Sequence, residues 1–497
     1  MSRSPSRHRS VALLAASLVA ALGSAGAAQA STRSWGALSF SECALGPADA
    51  AIPVRGYCAE LAAPENPADP ASRKISLRIG WLPARGAEPR PDPLVFFAGG
   101  PGQSATEGIA NVGPAFARIR EQRHILLVDQ RGTGGSNPLH CSWPKDLDLA
   151  RVDAGGATKL AQDCLAAIGE RADPRFYATH HAVHDIEAVR QAIGAPLLNL
   201  YGGSYGTRAA QEYLRRYPQA VRSVILDAVV PPELALGGEH AENLDAALAA
   251  IFARCSGESA CQQRYGELLP RQYALRDRLR AQPMTIRFTD PLNHQRLLER
   301  FGEGHLATVV RMFAYAPESS ALLPLLLDEA DAGRPEPMLA HARLLAKSLG
   351  GAIAMGMHLS VSCSEDADRL QPRDEDARRL LGNQIIDLLK SQCAVWPHAP
   401  RPADFNAPIS TDVPMLLLSG EFDPVTPPRY GEQVLAGKSR ARHLVGKGQG
   451  HILINRGCMP RLAAQFLDQL DPAGLDASCL DVLGPTPFFL DFNGAAP

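Results

Sequence analysis

Gly202-Gly203-Ser204-Tyr205-Gly206 is the stretch of this chain whose residue types and spacing best suit chemistry. A serine with glycine two residues to either side stands between an apolar run (Leu197 to Tyr201) and a helical one. That is the pattern of a nucleophile elbow: the serine occupies a tight, strained turn, and the missing side chains let neighbouring backbone come close. A helix start also places backbone N–H groups beside developing negative charge. A hydroxyl needs a base to become a useful nucleophile. Of 14 histidines, His451 follows the glycine-rich stretch Gly446-Lys447-Gly448-Gln449-Gly450 and precedes the last helical segment, a setting that can carry an imidazole over the edge of a sheet. The imidazole in turn needs a carboxylate to fix its tautomer and stabilise its charge. Asp423, in Ser419-Gly420-Glu421-Phe422-Asp423, is the expected acid, and Asp227, in the apolar run 223–230, is its rival. Two backbone donors should complete the set as an oxyanion hole: the N–H of Tyr205 and that of Gly100 in Ala98-Gly99-Gly100-Pro101-Gly102. The expected chemistry is acyl transfer through a serine ester, with no metal or organic cofactor.

These residues must be carried by elements that bring them to one edge. An early hairpin strand is predicted at 75–83, and short apolar runs follow at 94–97, 124–129, 197–201 and 223–230. Between them lies a helical pattern over 180–194, with Val183, Ile186, Val189 and Ile193 on one face. Apolar runs of this length, bounded by glycine-rich turns and alternating with helices, predict an α/β fold with a mostly parallel central sheet covered on both faces. From Pro231 to about Ala407 the strand signal disappears and the chain reads as successive helices; it returns at 414–419 and 442–446, before a last helix around Arg461 to Leu470. The expected organisation is a signal peptide over 1–30, core at 31–230, an inserted helical cap at 231–407, and the rest of the core at 408–497.

The order Ser, Asp, His along the chain is that of α/β-hydrolases. AGGPGQS (98–104), DQRGTGGS (129–136), YGGSYGT (201–207), SGEFDPVTP (419–427) and GQGH (448–451) together resemble the proline iminopeptidase and tripeptidyl aminopeptidase group of those enzymes, the S33 serine peptidases. The resemblance runs from roughly residue 75 to 470 and is loosest in the insertion. It implies an α/β-hydrolase fold with a helical cap that admits peptide N-termini. It also implies Ser204 as nucleophile, His451 as base, Asp423 as acid, and Gly100 with Tyr205 as oxyanion donors. The iminopeptidases have His before the GGPG segment and Trp after the serine; Ala98 and Tyr205 stand there in this chain, which points away from strict proline specificity. Asp129 and Arg131 match a family motif and are read as bracing a turn. Glu365 and Asp366, in Val361-Ser362-Cys363-Ser364-Glu365-Asp366, resemble a cap segment that supplies acidic groups, and are expected to bind the substrate's α-amine. The function expected is an exported serine aminopeptidase acting on peptides with a free N-terminus. A carboxylesterase or lipase with the same triad is the first alternative, and a non-catalytic binding protein on a hydrolase scaffold the second. An Asp at the elbow would be needed for epoxide hydrolase or dehalogenase chemistry.

The N-terminus points to export. Arg3, Arg7 and Arg9 precede an apolar run of small residues from Val11 to Ala28, which ends in the small-x-small site Ala28-Gln29-Ala30. All ten cysteines lie after that site: Cys43, Cys58, Cys141, Cys164, Cys255, Cys261, Cys363, Cys393, Cys458 and Cys479. An even count in an exported chain favours disulfides, and the spacing suggests five local pairs in that order. No CxxC pair supports a zinc site. With 50 Lys and Arg against 52 Asp and Glu, the net charge of −2 offers no reservoir for neutralising phosphates, so nucleic acid is not expected as a partner. The destination is read as periplasmic or extracellular, with no membrane span in the mature chain.

Overall fold

A computed structural model describes residues 32–48, 50, 52–141 and 152–495. The predicted signal peptide lies outside the described residues. Twelve strands are present among them: β1 (Thr32–Trp35), β2 (Leu38–Leu45), β3 (Val54–Pro64), β4 (Lys74–Leu82), β5 (Leu94–Phe97), β6 (Ile125–Val128), β7 (Leu198–Gly203), β8 (Val221–Asp227), β9 (Met284–Thr289), β10 (Arg296–Phe301), β11 (Met415–Gly420) and β12 (Ala441–Gly446). Ten of them form one sheet in the order β1-β2-β3-β4-β6-β5-β7-β8-β11-β12. From β6 to β12 every neighbouring pair is parallel. The order reverses between β6, β5 and β7, and in open sheets ligands sit beyond the strand ends at such a switch.

The hairpin strand predicted at 75–83 is β4, and it belongs to a larger antiparallel wing, β1 to β4, joined to the parallel strands through β4 and β6. Its short connections allow antiparallel pairing, whereas each parallel pair needs a crossover, here mostly a helix. The parallel strands are apolar on both faces because both are covered. Val95 and Phe97 pack with Val183, Ile186 and Val189 of the helix Thr179–Ala192 and with Ala209 and Tyr213 of the helix Tyr205–Arg216. Leu94 and Phe96 face the other way, onto Ile109 of the helix Ala105–Val112 and Leu462 and Phe466 of the helix Met459–Gln469. Burial of each such side chain contributes about 1.5–3 kcal/mol before its entropy cost.

Between β8 and β11 the chain is helical apart from one element that periodicity did not reveal. β9 and β10 form an antiparallel hairpin, Met284 opposite Phe301. Only alternate residues are apolar in Met284-Thr285-Ile286-Arg287-Phe288, so six residues inside a long helical stretch gave little strand signal. Phe288 and Phe301 anchor the hairpin in a core with Leu248, Phe252, Val309 and Leu326, separate from the two cores that flank the sheet. Disulfides join Cys43 to Cys58, Cys141 to Cys164, Cys255 to Cys261, Cys363 to Cys393 and Cys458 to Cys479. Among the described residues no single helix is long and apolar enough to cross a membrane.

At the C-terminal end of β7 the chain turns sharply into the helix Tyr205–Arg216, with Ser204 at a φ of 55°. The turn closes because glycines stand on both sides: a Cβ on Gly202 would overlap the carbonyl of Gly206, and a Cβ on Gly206 would overlap that of Phe97 in β5. These neighbours are backbone and cannot swing away. Gly206→Ala is therefore expected to destabilise the protein by at least about 1–3 kcal/mol, the usual cost of overpacking. Thermal unfolding of the variant against wild type measures it.

Candidate active site

The sheet's C-terminal edge gathers residues from four places in the chain. Ser204 tops β7, and its N–H donates to the Asp227 carbonyl at 2.8 Å. Asp423 sits in the turn after β11, with its side chain fully buried. His451 follows β12, its imidazole mostly enclosed. The His451 Nδ1–Asp423 Oδ2 distance is 2.8 Å. Asp423 Oδ1 accepts the N–H groups of Val425 and Thr426, each at 2.8 Å, and Oδ2 accepts the Thr426 hydroxyl at 2.8 Å. Burial works against the Asp423 charge, but His451 and these donors outweigh it and hold its pKa below the ordinary carboxylate value. For His451, burial works against the cation; the Asp423 charge and hydrogen bond outweigh it and lift the imidazole above its ordinary value. An imidazole so held has Nδ1 committed and Nε2 available as a base.

Ser204 Oγ makes no hydrogen bond with His451 among the described residues. The two loops are nonetheless adjacent, since a Cβ on Gly203 would lie 3.3 Å from the side chain of Ile452. Unliganded sites commonly leave the serine–histidine contact loose. Tyr205 is the first residue of its helix, where the N–H has no intrahelical partner. The Gly100 and Tyr205 amides have no backbone acceptor among the described residues. Gly99 lies against the serine: a Cβ there would stand 3.3 Å from that of Ser204.

Asp227 takes a different place from the one its rivalry with Asp423 implied. Its Oδ1 accepts the N–H of Leu453 at 2.8 Å, and its Oδ2 accepts that of Ile454 at 2.8 Å and the Tyr201 hydroxyl at 3.0 Å. It anchors the backbone just after His451. Burial pushes its carboxyl up to about 6, against those three donors. Asp129 likewise binds two loops, accepting from Ser104, Thr106 and Gly135, while Arg131 grips Asp185 through two hydrogen bonds of 2.7 and 2.6 Å.

Glu365 and Asp366, expected at the end of a pocket, lie in the interior with no exposed surface. Arg208 Nη1 is 2.7 Å from Asp366 Oδ2 and 3.4 Å from Glu365 Oε2, Arg369 Nη2 is 2.7 Å from Asp366 Oδ1, and the Thr179 N–H donates to Glu365 Oε1 at 2.7 Å. Burial and the neighbouring Asp366 charge push the Glu365 carboxyl up to about 7, with Arg208 opposing. The pair thus serves as counter-ions to a buried arginine of the helix that begins at the elbow. In this structure it has no face open to an amine.

A family model described as alpha/beta hydrolase fold matches residues 92–254, and one described as TAP-like protein matches residues 378–479. The first segment contains the elbow, the second Asp423 and His451. The chain has the α/β-hydrolase fold.

The serine protease Hip1 of Mycobacterium tuberculosis is 26% identical to this hydrolase over 452 residues, covering 84% of this chain and 86% of that protein. The tripeptidyl aminopeptidase of Streptomyces lividans is 28% identical over 223 residues, 42% of this chain and 41% of that one. Carboxylesterase B of M. tuberculosis is 30% identical over 194 residues, 35% of this chain and 36% of that one.

Sequence reasoning about the hydrolase missed two contributors. Thr426, three residues after Asp423, bonds the carboxylate and lies 3.3 Å from His451 Nδ1; the turn-forming sequence Asp-Pro-Val-Thr could have revealed it. Tyr315 had no local signal. Its carbonyl accepts the His451 N–H at 2.7 Å, and its ring meets the imidazole edge-on at 5.0 Å between centroids. A Cβ on Gly450 would overlap that same carbonyl, so the glycine is what lets Tyr315 grip the histidine loop. The Asp227 anchor should be the more costly to lose. Asp227→Ala leaves two buried amides and a buried hydroxyl without their acceptor, at about 1–3 kcal/mol each, and chemical denaturation should show a loss of several kcal/mol in stability.

Proposed function

We propose that this serine hydrolase is an exported exopeptidase that removes N-terminal residues, as single prolines or tripeptide units, through an acyl-enzyme. The His451–Asp423 contact of 2.8 Å, set beside a serine in a strained elbow, carries the reading. The peptidase names of two relatives and the TAP-like match support peptides as substrate. In this reading residues 31–230 and 408–497 form the core, and 231–407 the cap. Export is supported by the five disulfides and by the N-terminal pattern.

His451 Nε2 takes the Ser204 proton as Oγ bonds to the scissile carbonyl carbon, and the oxyanion is held by the Gly100 and Tyr205 N–H groups. The C–N bond then breaks as His451 returns that proton to the departing amine. Water, deprotonated by His451, attacks the ester, and the acid leaves as Ser204 recovers its proton. The carboxylesterase relative favours a second reading in which the same steps act on esters.

Matched substrates separate the two. Proline anilide and Ala-Ala-Pro-anilide, with free and acetylated N-termini, are compared with a short-chain nitrophenyl ester. The peptidase reading expects anilide cleavage that acetylation abolishes; ester turnover indifferent to an amine would replace it with the esterase. Ser204→Ala should keep the fold and lose turnover.

The pH profile supplies a further check. Because Asp423 raises the His451 pKa, the rising limb of kcat/KM should lie above the ordinary histidine pKa of about 6.5. Asp423→Asn removes the raising partner and leaves burial, so the limb should move to lower pH, with kcat reduced by about 10⁴. A limb that stays in place would show that Asp423 does not act through His451.

A further inference from the structure

The β9–β10 hairpin has two unlike faces. Side chains alternate along a strand, so Phe288, Glu299 and Phe301 share the face that meets the protein: both phenylalanines are buried, and Glu299 pairs with Arg343. On the other face Thr285, Arg287 and Thr289 stand opposite Arg300, Leu298 and Arg296, and all six are exposed. Leu298 is 73% exposed and bordered by arginine on three sides, with Arg287 across from it and Arg296 and Arg300 two residues away along its own strand. The turn adds Leu292, 40% exposed.

No carboxylate stands on this outer face. Asp290, where the chain leaves β9, is buried and accepts the Leu292 N–H at 2.8 Å. Among the described residues Arg287, Arg296 and Arg300 pair with no acid, whereas Arg271, Arg280 and Arg343, also between β8 and β11, each do. An isolated exposed leucine is ordinary. One set among three unopposed cations selects a partner that joins negative charge to apolar material. Arginine suits phosphate through its planar fork, and its stem can lie along apolar surface while the guanidinium stays wet.

The size of the face decides between kinds of partner. Strands of six residues run about 20 Å and a pair of them spans about 10 Å, so the hairpin offers roughly 200 Å². A stable protein complex buries about 800 Å² on each partner. A bilayer surface makes no such demand, because it extends sideways without limit and yields around the side chains it receives. We propose that this face docks the protein on a bilayer of anionic phospholipid. Arg287, Arg296 and Arg300 meet headgroup phosphates, and Leu298 and Leu292 reach the boundary of the acyl chains. Such attachment is peripheral and reversible, far weaker than that of a spanning helix. It is independent of which bond Ser204 attacks.

Co-sedimentation tests it, using protein purified after export and vesicles of phosphatidylcholine, alone or mixed with phosphatidylglycerol. Wild type should bind the mixed vesicles and not the neutral ones, and added salt should release it. An arginine near an anionic surface is worth about fivefold in affinity, so Arg287→Gln, Arg296→Gln and Arg300→Gln combined should lose about 100-fold. Leu298→Ser should lose about tenfold and keep the salt dependence. All four side chains are exposed, so thermal unfolding of the variants should match wild type. Wild type that ignores the mixed vesicles overturns the proposal, as does a triple variant that binds them equally well. Binding to soluble dextran sulfate without binding to vesicles would give the face to an acidic polymer and overturn it too.

Discussion

Ser204 can hold a φ of 55° because nothing larger than hydrogen stands at Gly202 and Gly206, and β5 must therefore run close enough for the Phe97 carbonyl to fill the space beside the elbow. Much of the architecture serves that approach. β5 and β7 are neighbours in the sheet, so the loop after β5, which holds Gly99 and Gly100, ends beside the serine. The same pairing aims the start of the helix Tyr205–Arg216 at the sheet's C-terminal edge. Strain in a turn of this kind, about 1–3 kcal/mol, persists only where the surroundings leave the chain no alternative. Here the alternatives are removed by backbone packed against backbone.

Buried charge does similar work around the turn. Asp227 holds the chain just after His451, Asp129 ties the loop after β5 to the loop after β6, and Arg208 is held between Glu365 and Asp366 behind the elbow. Replacing buried ion pairs with apolar groups often leaves stability unchanged or improved, whereas removing one partner costs about 3–5 kcal/mol. These groups are better understood as fixing positions than as adding net stability. Each one joins segments far apart in sequence, at a point where a small displacement would move Ser204, His451 or the loop carrying Gly100.

The chain between β8 and β11 reaches into the site through Tyr315. The Tyr315 carbonyl holds the His451 amide, and the lack of a side chain at Gly450 makes that contact possible. The histidine loop is thus gripped from the sheet side through Asp227 and from the insertion side through Tyr315. A movement of the insertion would reach the imidazole directly through this bond.

Much of the candidate site was legible in the sequence because each piece is a local pattern. The elbow, the GGPG loop, the aspartate turn and the glycine-rich histidine loop each declare themselves within a few residues, since turn geometry is set by the residues in the turn. The apolar runs of the parallel strands were legible for the same reason: burial on both faces favours apolar residues along most of each strand. The β9–β10 hairpin was not, because only alternate residues are buried there. Pairing across the fold was decided by tertiary structure. Asp227 ends β8 and Asp423 stands in the turn after β11 at the same sheet edge, and only the path of the chain after β12 puts one on Nδ1 and the other on the backbone beyond it. Glu365 and Asp366 look like free acids in the sequence; packing against Arg208 encloses them. Tyr315 carries no motif, and its role comes from where the chain between β8 and β11 lands. Sequence alone determines which turns can form and which side chains they present, because those are short-range steric and burial constraints; which of those side chains meet depends on contacts between distant segments that exist only once the core has closed.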